Sequence, residues 1–156
     1  MFTIHSNLSQ VCIQLKARIE KAERNISNNL IEAAADGMVA VAHRIQQEGK
    51  NSDGTVMRTK SPRSIGAYSR AYAQYTRLKK GRQTERMDFT MEGDLMRNYN
   101  IIRSEAREVV VGFLDLGMAE IAGYLEAYFG GAWYLSREEQ KLIADKLTRQ
   151  FQQDLR

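Results

Sequence analysis

MDFTMEGDLMRNYNI, residues 87–101, is where this chain changes character. Before it lie a long helical pattern and a basic stretch; after it come strand patterns and two more helices. The segment sets Phe89 and Met91 among Asp88, Thr90 and Glu92, turns at Gly93, and reads as a short helical piece from Asp94 to Asn98 ahead of an apolar run. Asp94 lies at the positive end of that piece, where a carboxylate is favoured. No histidine and no ligand cluster accompanies it. Phe89, Met91, Leu95 and Met96 are expected to dock the segment onto a core, fixing the geometry between the basic stretch and the strands.

Downstream, Tyr99–Arg103 and Glu108–Phe113 are two β-rich runs. The connection Ser104-Glu105-Ala106-Arg107 suits an antiparallel hairpin. Val109, Val111 and Phe113 would share one face, with Val110 and Gly112 on the other. Gly117 to Phe129 reads as a helix with Met118, Ile121, Ala122, Leu125 and Phe129 inward, ended by Gly130-Gly131. The last helix opens on a capping box, Ser136 to Glu139, and continues through Leu142, Ile143, Leu147 and Phe151.

Upstream, apolar residues recur at Leu8, Cys12, Leu15, Ile19, Ala22, Ile26, Leu30, Ala34, Met38, Val41 and Ile45. Every step is helical. Ser6 or Asn7 can cap the start and Gly49 can stop the end. Unbroken, such a helix is on the order of 60 Å long, more than a compact domain of this size spans, so it either breaks or lies partly against something else. Asn25–Asn29 and Asp36-Gly37 are the weakest points. Cys12 falls on the apolar face and is expected as a small core residue.

Between helix and strands, residues 49–66 are turn chemistry, with Asp53-Gly54 and the one proline, Pro62. In AYSRAYAQYTRLKKGR, residues 67–82, Tyr68, Tyr72 and Tyr75 have the spacing of one face of a short helix that Gly81 can end. The expected class is α+β, a single domain over 1–156. Its parts are a long N-terminal helix (1–48), a basic loop with a short helix (49–86), and a core of 87–156 with an antiparallel β-hairpin or small sheet and two C-terminal helices.

Composition is that of a folded, soluble chain: 156 residues, 43% apolar and 27% charged. No run approaches the ~20 apolar residues of a membrane span. The start, MFTIHSNLSQ, has no basic region followed by an apolar one, so no secretory leader is expected. A lone cysteine fits a reducing compartment. The net charge of +4 is uneven: residues 49–86 hold ten cations against Asp53 and Glu85, a local +8.

The residues offer little for catalysis. His5 and His43 have no partners at metal-ligand spacing, and no phosphate loop or dinucleotide fingerprint is present. Glu92 and Asp94 flank Gly93 without a pocket signature, which leaves a hydrolase only a minor alternative. Neither cofactor nor metal is expected. The basic block carries more. Arg70, Arg77, Lys79, Lys80, Arg82 and Arg86, interleaved with tyrosines, are candidates to face a protein interface or nucleic acid. Three readings stay open: a phosphate-tracking surface, a patch for an acidic protein neighbour, or a solvated loop whose tyrosines pack inward.

GRQTERMDFTMEGDLMRN, VVVGF, AEIAGYLEAYFG and WYLSREEQKLI, in that order, resemble the tailed-phage virion morphogenesis proteins, also described as tail-completion or head–tail joining proteins. That family's Thr-x-Gly-x-Leu segment has a counterpart in Thr90-Met91-Glu92-Gly93-Asp94-Leu95, with one residue more. Its strand ending in Val-Gly is matched by Val111-Gly112, its alanine-containing helix by Ala119 to Gly130, and its Leu-Ser-x-Glu-Glu helix start by Leu135 to Glu139. Upstream, SDGTVM and AYSRAY look like the family's Asp-Gly loop followed by basic residues. The likeness spans about residues 30 to 148. Gly131-Ala132-Trp133-Tyr134 departs from the family's Pro-Arg-Phe approach, and the first helix is longer.

The resemblance implies a structural protein of the virion, made in the host cytoplasm, assembling as a homo-oligomeric ring (a hexamer by that likeness) at the head–tail junction. Its implied neighbours are tail-tube and head-closure or neck proteins, with DNA nearby and no membrane. A small nucleic-acid-binding protein using residues 49–86 is the alternative.

Overall fold

The computed structural model describes residues 7–156. In chain order these form α1 (Leu8–His43), β1 (Ser64–Ile65), β2 (Tyr68–Ser69), α2 (Arg70–Tyr72), α3 (Asp94–Asn98), β3 (Tyr99–Glu105), β4 (Glu108–Phe113), α4 (Leu116–Phe129) and α5 (Arg137–Asp154). The class is α+β. His5 and Ser6 lie outside the described residues, and Asn7 holds the N-cap position of α1 without a side-chain capping bond.

α1 runs 36 residues without a break and passes into one π-helical turn, Arg44–Glu48. Gly49 stops it in the left-handed conformation, φ 64°, as its position after the last apolar residue suggested. Neither of the weak points breaks the helix, because both are contact points with α5. The Asn25 and Asn29 amides donate to the two carboxylate oxygens of Asp154 at 2.7 and 3.0 Å. These bonds hold the Asp154 carboxyl below its usual range. At Gly37 the missing side chain lets Ile143 close in; a Cβ there would stand 2.7 Å from the Ile143 Cδ1. Lys146 reaches the Asp36 carboxylate at 2.6 Å.

These contacts run in opposite directions along the two helices, so α5 is antiparallel to α1. It begins with the capping box at Ser136 and Glu139 and ends level with Asn25. Val11 to Lys21 are all exposed, and Ala22 is the first buried residue after them. Cys12 is therefore not a core residue. Periodicity identified its face correctly, but among the described residues none covers that face so far out.

β3 and β4 pair antiparallel from Tyr99↔Phe113 to Glu105↔Glu108, leaving only Ala106 and Arg107 as the connection. The turn is shorter than the four residues expected because Ser104 and Glu105 join the ladder. The register shifts between Ile101 and Arg103. Ile102 lies across Gly112, where a side chain would collide with it. α4 starts from Asp115, whose carboxylate accepts from the Met118 N–H at 3.0 Å.

The core gathers under α1. Val41 and Ile45 meet Met57, Tyr68, Met87 and Ala132, with aromatic rings completing the layer. Trp133 is the centre of those rings, 4.9 Å from Phe113, 5.3 Å from Tyr99 and 5.4 Å from Phe89. Its indole N–H donates to the Ala122 carbonyl at 3.2 Å, so a polar tip is satisfied inside an apolar body.

The basic segment is more irregular than one short helix. β1 and β2 form a two-residue ladder around Gly66, and Tyr68 belongs to β2. Only then do α2, a π-helical turn (Ala73–Arg77) and a 3-10 turn (Leu78–Lys80) follow, ended by Gly81 at φ 66°. Tyr68 is thus buried rather than aligned with Tyr72 and Tyr75 on one helix face.

Candidate functional site

Asp88, in segment 87–101, is the organising acceptor of the basic region. It is buried, and its Oδ1 accepts from the Tyr68 hydroxyl at 2.9 Å and the Thr90 N–H at 2.9 Å. Arg77 Nη2 donates to Oδ1 and Oδ2 at 3.1 and 2.9 Å. The same guanidinium donates to the Gln83 and Thr90 carbonyls and lies 4.1 Å over the Tyr68 ring. Burial pushes the Tyr68 hydroxyl well above the usual tyrosine range.

Arg77 is consequently not a surface cation. It is 1% exposed, the largest fully buried side chain among the described residues, and does not face a partner as its place in the basic run suggested. A charge taken out of water needs a partner and satisfied donors, and Asp88 with two carbonyls supplies both. Arg86 is half-buried, its Nε donating to the Gln46 carbonyl at 2.9 Å, and ties the segment to the end of α1.

Arg70, Lys79, Lys80 and Arg82 are exposed. Lys80 pairs with Glu92 at 2.7 Å, and Lys79 lies 5.6 Å over the ring of exposed Tyr75. Arg63 and Arg70 share a shallow depression with Tyr75. Lys60 covers the Tyr128 ring at 4.8 Å, while hydrogen bonds from the Thr59 side chain and the Lys60 backbone lower the Tyr128 hydroxyl pKa. The remaining cations stand at the surface of an internally neutralised frame. Glu92 and Asp94 are each held by a cation, Lys80 and Arg97.

The four docking candidates divide. Leu95 is buried; Phe89, Met91 and Met96 are half-buried. Phe89 packs on Phe129 at 5.6 Å and adopts φ 51°, the one non-glycine residue with positive φ among those described. The Asp88–Thr90 hydrogen bonds on either side of it hold that strained turn. Phe89, Met91 and Leu95 line a groove of about 460 Å³ with Met118, Ile121 and Leu125 of α4; Met96 stands apart from it.

A second charged hub escaped the sequence reading. Arg44 is buried, and its Nε donates to Glu139 Oε1 at 2.8 Å. Its other nitrogens donate to the Lys50, Ala132 and Tyr134 carbonyls. Glu139 Oε2 meanwhile accepts from the Ser136 N–H at 2.7 Å. One carboxylate therefore caps α5 and clamps it to the end of α1. The signal available was the capping-box glutamate; nothing local marked its arginine, 95 residues away.

The exposed apolar side chains among the described residues include two helical surfaces. One is the N-terminal arm of α1, with Val11, Leu15 and Ile19 on the side that Ala22 and Ile26 continue inward. The other is the outward side of α4, where Leu116 is 85% and Tyr124 75% exposed. Among the described residues no cluster of metal-ligating side chains forms, and no helix is long and apolar enough to cross a membrane. No protein-family model, curated protein or solved structure matches the chain.

Proposed function

We propose that the chain is a non-enzymatic structural subunit of a tailed phage, acting in tail completion or head–tail joining as one member of a homo-oligomeric ring. The observation that carries this reading is the α1 arm. Several turns of helix leave Val11, Leu15 and Ile19 uncovered, in continuity with a stripe that is buried further along. A surface of that kind is a mark of assembly, and closure against identical copies covers it in every subunit at once. The order of family-like motifs over about residues 30 to 148 supports placing that assembly at the head–tail junction, beside tail-tube and head-closure proteins. Gold-labelled antibody against the chain, applied to particles from cells that produce it, tests the reading by electron microscopy. Label at the neck is the expected result; particles labelled elsewhere, or not at all, would overturn it.

The exposed cations Arg63, Arg70 and Lys79 around Tyr75 support a second reading, binding of nucleic acid. Several phosphate contacts give affinity that falls steeply with salt. Lys79→Glu with Lys80→Glu should then weaken binding to a single-stranded oligonucleotide, read by fluorescence anisotropy. No binding at low salt removes this reading.

A further inference from the structure

We propose that the α1 arm of one copy seats on the outward face of α4 in the next copy. The proposal rests on the reading of the chain as a self-assembling subunit and names the contact that would build the ring. The two surfaces match in length. The exposed arm up to Lys21 and α4 each span about 20 Å at 1.5 Å per residue. They match in character, since Val11, Leu15 and Ile19 face outward on one, and Leu116 and Tyr124 on the other. Gly123 adds no side chain to the α4 face, and a Cβ there would meet nothing of its own chain. A neighbouring helix can come close at that point.

Charge selects this pairing over others. Lys16 and Arg18 flank the apolar stripe of the arm on its two sides, with Lys21 and Arg24 following and only Glu20 and Glu23 against them. From Glu108 to Ser136 the chain has no lysine or arginine, and Asp115 and Glu120 are acidic and exposed. A basic-flanked stripe therefore meets a face that carries Glu120 between Leu116 and Tyr124. Pairing two arms with each other, parallel or antiparallel about Leu15, would instead set Lys16 and Arg18 beside their own copies. Donor and acceptor are different patches, so each subunit offers one of each. A contact of this kind propagates head to tail and stops only when a ring closes.

The test is sedimentation velocity on the full chain and two double variants. Leu15→Asp with Ile19→Asp disables the arm, and Leu116→Asp with Tyr124→Asp disables the face. All four positions are exposed, and far-UV circular dichroism checks that each variant keeps its helices. Each variant alone should sediment as a monomer. An equimolar mixture should give a 1:1 dimer and nothing larger, because one intact arm finds one intact face. Glu120→Lys should weaken assembly, and Lys16→Glu with Arg18→Glu in the same chain should restore it. A native chain that is monomeric at every concentration overturns the self-assembly reading and this contact together. A native chain that assembles while the face variant assembles equally well overturns this contact alone.

Discussion

Arg77 and Asp88, 11 residues apart on either side of the Gly81 turn, form an ion pair inside the protein, with Arg77 Nη2 donating to both carboxylate oxygens at 2.9 and 3.1 Å. The pair explains how a stretch with a local charge of +8 folds against a core. Its most central cation is not on the surface, and the acidic segment after it supplies the counter-charge. The segment 87–101 thus works as an internal anchor: Asp88 holds the basic region, Phe89 and Leu95 hold the core, and Tyr99 starts the hairpin.

Removing one partner of that pair should cost far more than removing both. Asp88→Ala leaves Arg77 buried and uncompensated, and the expected loss is about 3–5 kcal/mol. Urea denaturation measures it directly. The double variant Arg77→Ala with Asp88→Ala should lose much less than the two single losses added together. A single-variant loss below about 0.5 kcal/mol, the range of ordinary surface substitutions, would contradict the anchor role.

Arg44 should not tolerate its nominally conservative replacement. Arg44→Lys keeps a charge for Glu139 but cannot reach the Lys50, Ala132 and Tyr134 carbonyls together, since lysine lacks the planar fork. Of these the Ala132 carbonyl is buried, and leaving it unsatisfied costs about 1–3 kcal/mol, so a drop of at least about 1 kcal/mol is expected in the same denaturation series. A variant as stable as the native chain would show that these bonds contribute little.

How far the sequence revealed these features depended on distance along the chain. The unbroken apolar periodicity from Leu8, the Ser136–Glu139 cap and the β-rich runs after Tyr99 are local signals, and each produced its element. Arg77 looked like any cation in a basic run, because the carboxylate that buries it lies beyond a turn. Arg44 was silent for the same reason. Asn25, Asn29 and Gly37 were misleading: low helix propensity marked them as break points, whereas tertiary contacts with Asp154 and Ile143 outweighed it. Cys12 shows the complementary limit, since a periodic pattern identifies an apolar face without saying whether anything lies against it.

Two glycines with similar backbone angles should respond differently to alanine. Gly66 and Gly54 have φ 60° and 80°, so both substitutions strain the backbone by about 1–2 kcal/mol. At Gly54 the added methyl meets open space, and that strain is the whole effect. At Gly66 the methyl would overlap the Thr84 carbonyl, which bonds the Ala67 N–H at 2.9 Å. Gly66→Ala should therefore lose several times as much stability, or fail to fold, in parallel thermal melts. Equal losses at the two sites would contradict the close approach of the 84–85 backbone.

High pH should unfold the protein through its buried phenols. Burial, reinforced by the charge of Glu139 and opposed by Arg44, pushes Tyr99 from its ordinary 10.0 up to about 12. Below pH 10 both states keep the proton and this contribution is intact. Between pH 10 and 12 the unfolded chain gives the proton up while the folded chain holds it. Stability then falls with rising pH by at most about 1.4 kcal/mol per unit for this group. Tyr68, raised by burial too, acts in the same direction. Denaturant midpoints at pH 9 and 11 should differ, and Tyr99→Phe should reduce the difference; an unchanged slope would remove Tyr99 from this account.

The central claim, that the exposed α1 arm exists for self-assembly, is tested most directly by the mass of the purified full chain in solution. Light scattering across concentration and salt should find a ring-sized multiple of the 17.8 kDa protomer, growing in as concentration rises. A single 17.8 kDa species at every concentration and salt would contradict it.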